Sequence, residues 1–198
     1  MAVSAADVKK LRETTGAPML DCKNALEQHG GDVEKAVEWL KEKGLAKAAK
    51  KAERAATEGR VEVYVHLGNR VAVMAEINCE TDFVAKTEAF QTFAHEVALH
   101  IAMANPKYLD VADIPPAEVE AAQAGFRDQA VADGKPAAIA DKVAEGRMEK
   151  FYQEMCLLRQ PFVKDEEKTI RQLLTDAIAA IGENIVIRRF IRYELGNQ

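Results

Sequence analysis

The sequence has few cysteines and no long uncharged apolar run, and each absence excludes a class of protein. Its three cysteines are scattered, odd in number and without metal-ligand spacing: Cys22, Cys79 and Cys156. Such a set fits reduced thiols in a reducing compartment better than a disulfide framework. No apolar run approaches the roughly 20 residues that span a bilayer, and residues 1–20 carry too many charges for a secretory signal. We therefore expect a cytoplasmic protein without a membrane segment.

The chain also lacks a strong excess of one charge. Of its 198 residues, 48% are hydrophobic and 30% are charged, and the formal net charge is −5. A dedicated nucleic-acid binder usually carries a basic face, so direct nucleic-acid binding is not expected. The composition is that of a globular protein, and the length suits one or two domains with a real core.

Known enzyme motifs are missing as well. The chain has four histidines, no Gly-x-Ser-x-Gly sequence and no glycine-rich phosphate loop. The stretch from His95 to His100 resembles a zinc-protease motif, which needs histidines at i and i+4 on one helix face. These two histidines are five positions apart, which places them about 140° apart around a helix. We therefore expect neither catalytic chemistry nor a bound cofactor.

Residues 1–44 predict a domain of three short helices, similar to the ubiquitin-associated (UBA-like) three-helix modules. The stretch from Gly16 to Met19 occupies the loop that such modules use for contacts, and Leu20 follows it. The residues alone leave open whether these two side chains are contacts or core. The predicted boundaries are marked by start and stop residues: Ser4 and Gly16, then Pro18 and Gly30, then Asp32 and Gly44.

Residues 45–58 are rich in alanine, lysine and glutamate and predict a semi-rigid helical linker. The basic run from Lys47 to Arg54 could touch RNA, but a solvated helix face is the favoured interpretation.

Residues 59–198 predict an α+β core, in which helices cover a three-stranded antiparallel sheet. Alternation from Val61 to Leu67, a turn at Gly68-Asn69 and a returning strand to Cys79 predict a hairpin. Residues 185–195 supply the third strand. We expect the valines of the first strand to face the helices. The opposite face would then carry four side chains: Tyr64, His66, Ala72 and Met74.

Long helices are predicted over about 81–104, 116–132, 137–158 and 164–181, with Ile139 among the candidate buried residues. The start of the first of these helices decides the environment of Phe83. If the helix begins at Thr81, Phe83 falls on the buried stripe of Phe90 and Val97. If Thr87 caps the helix, Phe83 lies in a preceding turn and can project. Both alternatives stay open from the residues alone.

Two stretches of the chain are similar to the elongation factor Ts family. One runs from Leu11 to Leu26, and the other from Glu76 to Lys86. The second is an eleven-residue match without a gap and of mixed chemistry, which is far more specific than a single glycine motif. The order of a small helical domain, a linker and an α+β core also resembles the family over the whole length.

The resemblance implies a guanine-nucleotide exchange factor that binds elongation factor Tu and promotes release of its GDP, without catalytic chemistry of its own. The second stretch would wedge in near the nucleotide's magnesium and displace it. Many members carry two core subdomains in tandem, whereas this chain has residues for one. The short form implies a homodimer in a two-plus-two complex with elongation factor Tu. The residues implied to contact the partner are Arg12, Met19, Leu20, Thr81, Asp82, Phe83 and Val84.

Two other functions stay open at this point. The three-helix module could make the chain an adaptor that recruits a ubiquitin-like or other small protein. Alternatively, Lys47 to Arg54 together with Arg188, Arg189 and Arg192 could serve an RNA-associated factor.

Overall fold

The computed structural model describes residues 3–196. Within that range no helix is both long enough and apolar enough to cross a membrane. The elements, in chain order, are α1 (Ala5–Thr15), α2 (Met19–Gln28), α3 (Val33–Lys51), β1 (Glu58–Val65), β2 (Val71–Cys79), α4 (Asp82–Ala85), α5 (Glu88–Ala104), α6 (Pro116–Ala132), α7 (Ala137–Met155), β3 (Pro161–Phe162), β4 (Asp165–Thr169), α8 (Ile170–Ile181) and β5 (Ile185–Glu194).

The first three helices begin and end largely where the cap residues predict. Ser4 forms a reciprocal capping box with Asp7 at the start of α1, and Gly16 ends that helix in a left-handed conformation. The Asp32 side chain caps α3 by accepting a hydrogen bond from Lys35 N. These helices enclose a small core of their own: Val8, Leu11, Cys22, Ala25, Leu26, Ala36 and Leu40.

Helix α3 does not stop at Gly44, so that prediction is wrong. The helix continues to Lys51, and Gly44 is buried in its interior. A Cβ atom at position 44 would lie 3.6 Å from the Cβ atom of Ala179 in α8. The glycine therefore serves close helix packing here, which a sequence pattern cannot distinguish from a stop. The predicted helical linker over residues 45–58 is helical only as far as Lys51.

The predicted three-stranded antiparallel sheet is confirmed, with strand order β1-β2-β5. The turn between β1 and β2 is closed by hydrogen bonds from His66 N to Val71 O and from Asn69 N to His66 O. On β2 the covered side is the one opposite Ala72 and Met74, because Val73, Ala75, Ile77 and Cys79 are buried.

The predicted orientation of β1 is wrong. Val61, Val63, Val65 and Leu67 are exposed, whereas Glu62 is only 7% exposed. The Glu62 carboxylate lies 3.2 Å from His95 Nδ1 and 2.7 Å from the Arg60 guanidinium. The inward carboxylate therefore has polar partners, and the apolar side of the strand faces outward. Alternation reveals two faces but does not reveal which one is covered.

The α6 prediction is confirmed, but the two predictions that follow it need correction. Helix α7 buries Ala140, Ala144 and Met148, while the predicted core residue Ile139 is exposed. The helix predicted to begin at Lys164 begins at Ile170 instead, and β3 and β4 form an antiparallel pair before it. The charged run from Asp165 to Lys168 has no apolar alternation by which a strand could be recognised.

The chain divides into two compact units. The first contains residues 3–64, 74–98 and 172–191, and the second contains residues 65–73, 99–171 and 192–196. The predicted boundaries of the three-helix domain, linker and core stay a prediction.

His100, in the second unit, is completely buried and held in its neutral form. Its Nδ1 atom accepts a hydrogen bond from Val163 N at 3.3 Å, and its Nε2 atom donates to Gln160 Oε1 at 2.9 Å. The Gln160 amide nitrogen in turn donates to the carbonyl oxygens of Ala104 and Glu154. Burial lowers the pKa of His100, while the hydrogen bond to Gln160 partly opposes that change.

This depressed pKa predicts a loss of stability in mild acid. The unfolded ring takes up a proton below about pH 6.5, whereas the folded ring resists protonation. The contribution of His100 to the free energy of unfolding should therefore be fully present above pH 7 and should decrease as the pH falls below about 6.5, where the unfolded ring becomes protonated. Urea denaturation of the parent and of His100→Asn on both sides of this pH range measures this contribution. An equal pH dependence in the two proteins would contradict it.

Candidate functional site

The residues from Thr81 to Thr87 form a separate turn between β2 and α5. The Thr81 hydroxyl accepts a hydrogen bond from Val84 N at 3.3 Å and caps the single turn of α4. The Thr87 hydroxyl then accepts from Phe90 N at 3.3 Å and begins α5. Both candidate start residues are therefore used, and the long helix does not include Phe83.

Phe83 is presented to solvent on this turn. It is 76% exposed, so the core interpretation of this residue is wrong. The next residue, Val84, is buried and anchors the turn from below. A large apolar side chain exposed on a fixed turn is able to enter a pocket of another molecule.

Asp82 lies next to Phe83 and is paired within the same turn. Its Oδ2 atom lies 2.6 Å from Lys86 Nζ, and the hydrogen bond from Lys86 lowers the pKa of the Asp82 carboxyl. The turn therefore presents an ionised carboxylate beside an aromatic ring.

The loop between α8 and β5 makes hydrogen bonds to the residues at which this turn begins. Glu183 Oε2 accepts hydrogen bonds from Glu80 N at 3.1 Å and Thr81 N at 3.0 Å. Glu183 Oε1 accepts from the Thr81 hydroxyl at 2.7 Å. Sequence reasoning missed Glu183, because its partners lie about 100 residues away along the chain.

The three predicted contacts of the N-terminal module lie around a different turn. Arg12 occupies the last turn of α1, while Met19 and Leu20 occupy the first turn of α2. All three side chains are exposed, so the core alternative for Met19 and Leu20 is wrong. Residues 16–18 separate α1 from α2, and Gly16 closes α1 with a φ of 69°.

The cysteines are buried and poorly suited to nucleophilic chemistry. Burial raises the pKa of the Cys156 thiol to about 11 and also raises the pKa values of Cys22 and Cys79. Thiols with raised pKa values form little reactive thiolate near neutral pH. In residues 3–196, no three side chains of histidine, cysteine, aspartate or glutamate form a group that could hold a metal ion.

The chain matches one known family along almost its whole length. The family model described as Elongation factor TS matches residues 2–197. The chain belongs to the elongation factor Ts family. Three relatives, each named Elongation factor Ts, support this. That of Herpetosiphon aurantiacus is 54% identical over 197 residues, covering 100% of both chains. That of Caldanaerobacter subterraneus subsp. tengcongensis is 56% identical over 98% of this chain and 97% of its own.

The third relative, from Carboxydothermus hydrogenoformans, is 57% identical over 96% of this chain and 87% of its own. The family resemblance drawn from the two short stretches is therefore confirmed. Membership of the elongation factor Ts family implies a role in translation elongation.

Proposed function

We propose that the protein is a guanine-nucleotide exchange factor for elongation factor Tu, acting without catalytic chemistry of its own. The observation that carries this proposal is the exposure of Phe83 on a turn that Thr81 and Val84 fasten from within. The family resemblance implies that the second stretch wedges in near the magnesium of the nucleotide. That role requires the Phe83 side chain to project from the surface. The function also requires the cytoplasm, where bacterial translation takes place.

Asp82 and Phe83 would enter the GTPase near the magnesium ion that bridges the nucleotide phosphates to the protein. Loss of that bridge removes several kcal/mol of nucleotide binding. Burial of one phenylalanine contributes only about 1.5–3 kcal/mol, whereas nanomolar nucleotide affinity corresponds to about 12 kcal/mol. The Phe83 turn therefore cannot account for exchange without a wider interface.

The N-terminal module would provide part of that wider interface through Arg12, Met19 and Leu20. The exposure of all three side chains supports this assignment. A factor that stabilises the nucleotide-free GTPase must bind that form more tightly than the GDP form. Reciprocity requires GDP to weaken binding of the factor by the same ratio by which the factor weakens GDP.

Release of a fluorescent GDP analogue from elongation factor Tu, with and without the protein, tests the proposal. We expect release to accelerate as the protein is added. Without residues 1–50, acceleration should require a higher protein concentration, because one part of the interface is missing. Release that stays at the intrinsic rate with the full chain would reject the proposed function.

The RNA-associated alternative has less support, because four of its basic side chains contact carboxylates. Lys47 Nζ lies 2.5 Å from Asp21, and Arg54 lies 3.5 Å from Glu80. Arg189 and Arg192 each lie 2.7 Å from a glutamate oxygen, of Glu76 and Glu194 respectively. A phosphate would have to displace these partners.

We also propose that two copies of the chain associate through the uncovered sheet face, giving a two-plus-two complex. The face differs from the one predicted, because β1 is turned over: Tyr64 contacts His95, and Met74 shares the open side with Val61. Exposed apolar side chains surround an adjacent ion pair between Glu76 and Arg189. Such a surface can pack on its two-fold copy as a second sheet about 10 Å away.

Met74 provides the test of this association, because it is 50% exposed on the central strand β2. Met74→Glu should convert a dimer into monomers, since the contact would bury an unpaired charge. Val131→Glu, on α6 and 49% exposed, is the matched control and should stay dimeric. Light scattering at micromolar concentration measures both variants. A monomeric parent chain would contradict the proposal.

A further inference from the structure

We propose that Glu183 is a positioning residue for Phe83. The inference rests on the proposed exchange function and adds a residue that lies outside both stretches of family resemblance. Glu183 follows α8 and belongs to no contact surface named above. Its carboxylate holds the segment on which Phe83 is presented.

Both oxygens of the Glu183 carboxylate are engaged by that segment. Oε2 accepts from two consecutive backbone N–H groups, those of Glu80 and Thr81, at 3.1 and 3.0 Å. Oε1 accepts from the Thr81 hydroxyl at 2.7 Å. Hydrogen bonds to an ionised acceptor are about twice as strong as neutral ones. Three of them on two adjacent residues fix the direction in which the chain enters α4.

The Thr81 hydroxyl connects Glu183 to the turn through two hydrogen bonds. It donates to Glu183 and accepts from Val84 N at 3.3 Å, so its orientation is set from both sides. Val84 is buried beneath the turn, and Val84 O accepts from the Thr87 hydroxyl at 2.8 Å. A single helical turn is unstable by itself. Its anchoring at both ends is what can hold Phe83 in one outward direction.

A second carboxylate makes the opposite contact between the same two segments. Glu80 Oε1 accepts from Asn184 N at 2.6 Å. The buried Asn184 side chain donates to Arg54 O at 2.8 Å and so ties in the segment that follows α3. Each segment thus supplies a glutamate that accepts a backbone N–H of the other. Of these two glutamates, Glu183 is the one that contacts Thr81. Removal of its carboxylate should therefore loosen the Phe83 turn selectively.

A double-mutant cycle on nucleotide release tests the proposal. Glu183→Ala should lower the maximal rate of GDP release by about 10- to 100-fold. The protein concentration for half-maximal effect should change less than about threefold, because the remaining interface is intact. Glu183→Gln should recover most of the rate, since its amide oxygen still accepts from the backbone. Glu149→Ala, which removes a carboxylate 3.2 Å from Arg159 in the other unit, is the matched control.

The effect of Glu183 should vanish when Phe83 is absent. The double variant Glu183→Ala/Phe83→Ala should release GDP no more slowly than Phe83→Ala alone. Multiplicative losses in the double variant would instead show that Glu183 acts independently of Phe83, and would overturn the proposal. Thermal melts check that each variant folds. If Glu183→Ala does not fold, Glu183→Asp carries the same cycle, because its shorter side chain draws the carboxylate away from Glu80 N and Thr81 N.

Amide hydrogen exchange tests the positioning role of Glu183 independently of the proposed nucleotide-exchange function. Glu183→Ala should speed exchange at the backbone N–H groups of Glu80, Thr81 and Val84, while that of Val97 in α5 stays protected. Unchanged protection at the first three positions would overturn the positioning role. If the parent chain does not accelerate GDP release, the proposed function fails, and the hydrogen-exchange result still decides whether Glu183 holds the turn.

Discussion

The Phe83→Ala variant is expected to release GDP from elongation factor Tu about 10- to 100-fold more slowly than the parent. That range is the kinetic equivalent of the about 1.5–3 kcal/mol obtained from burying one phenylalanine. The free energy of unfolding should change by less than about 1 kcal/mol, because the ring is 76% exposed in the free protein. Stopped-flow nucleotide release and urea denaturation give the two numbers.

Phe90→Ala is the matched control, with the same substitution seven residues further along the chain. Phe90 is completely buried in the first turn of α5, so its truncation should cost about 3–5 kcal/mol of stability. The two variants should therefore affect different quantities. Phe83→Ala should mainly slow nucleotide release, and Phe90→Ala should mainly lower the free energy of unfolding. A destabilisation of Phe83→Ala as large as that of Phe90→Ala would show that the ring is part of the core.

Gly59→Ala is expected to destabilise the protein by about 3 kcal/mol or more. Gly59 has a φ of 142°, a conformation that residues with a side chain rarely adopt. A Cβ atom there would lie 2.2 Å from Ile77 O and 2.7 Å from Asn78 Cα. Both neighbours are backbone atoms of the central strand and cannot move aside as a side chain could, so strain and overpacking add together.

Gly68→Ala separates these two contributions. Gly68 also has a positive φ, of 85°, but a Cβ atom there would meet nothing within 4 Å. This variant should lose only the conformational term, about 1–2 kcal/mol. Equal losses for the two variants in urea denaturation would show that the close approach of β1 to β2 at Gly59 is not constraining.

The features that the sequence predicted correctly are those encoded within a few residues. Ser4, Gly16 and Asp32 mark helix ends through hydrogen bonds to neighbouring residues. The apolar stripe of α5 follows directly from its helical period, and Phe90, Ala94 and Val97 are all buried.

The failures depend on contacts between distant residues. Glu62 faces inward, where its carboxylate contacts His95. His95 lies 33 residues further along the chain, so the alternation within β1 could not predict this contact. Gly44 lies inside a helix because Ala179 packs close to it. Glu183 has no local signal, since its role exists only once α8 and β2 are brought together.

The position of β2 at the centre of the sheet has a consequence for the synthesis of the protein. One of its neighbours, β1, precedes it directly, but the other, β5, follows only after roughly a hundred residues. At about 5–20 residues per second, the ribosome needs some 5–20 s to produce that strand once β2 has been made. During this interval one hydrogen-bonding edge of β2 is unpaired, which is a risk for association between nascent chains. A chain that ends before Ile185 would keep only the β1–β2 hairpin of this sheet, and a two-stranded hairpin is at best marginally stable in water.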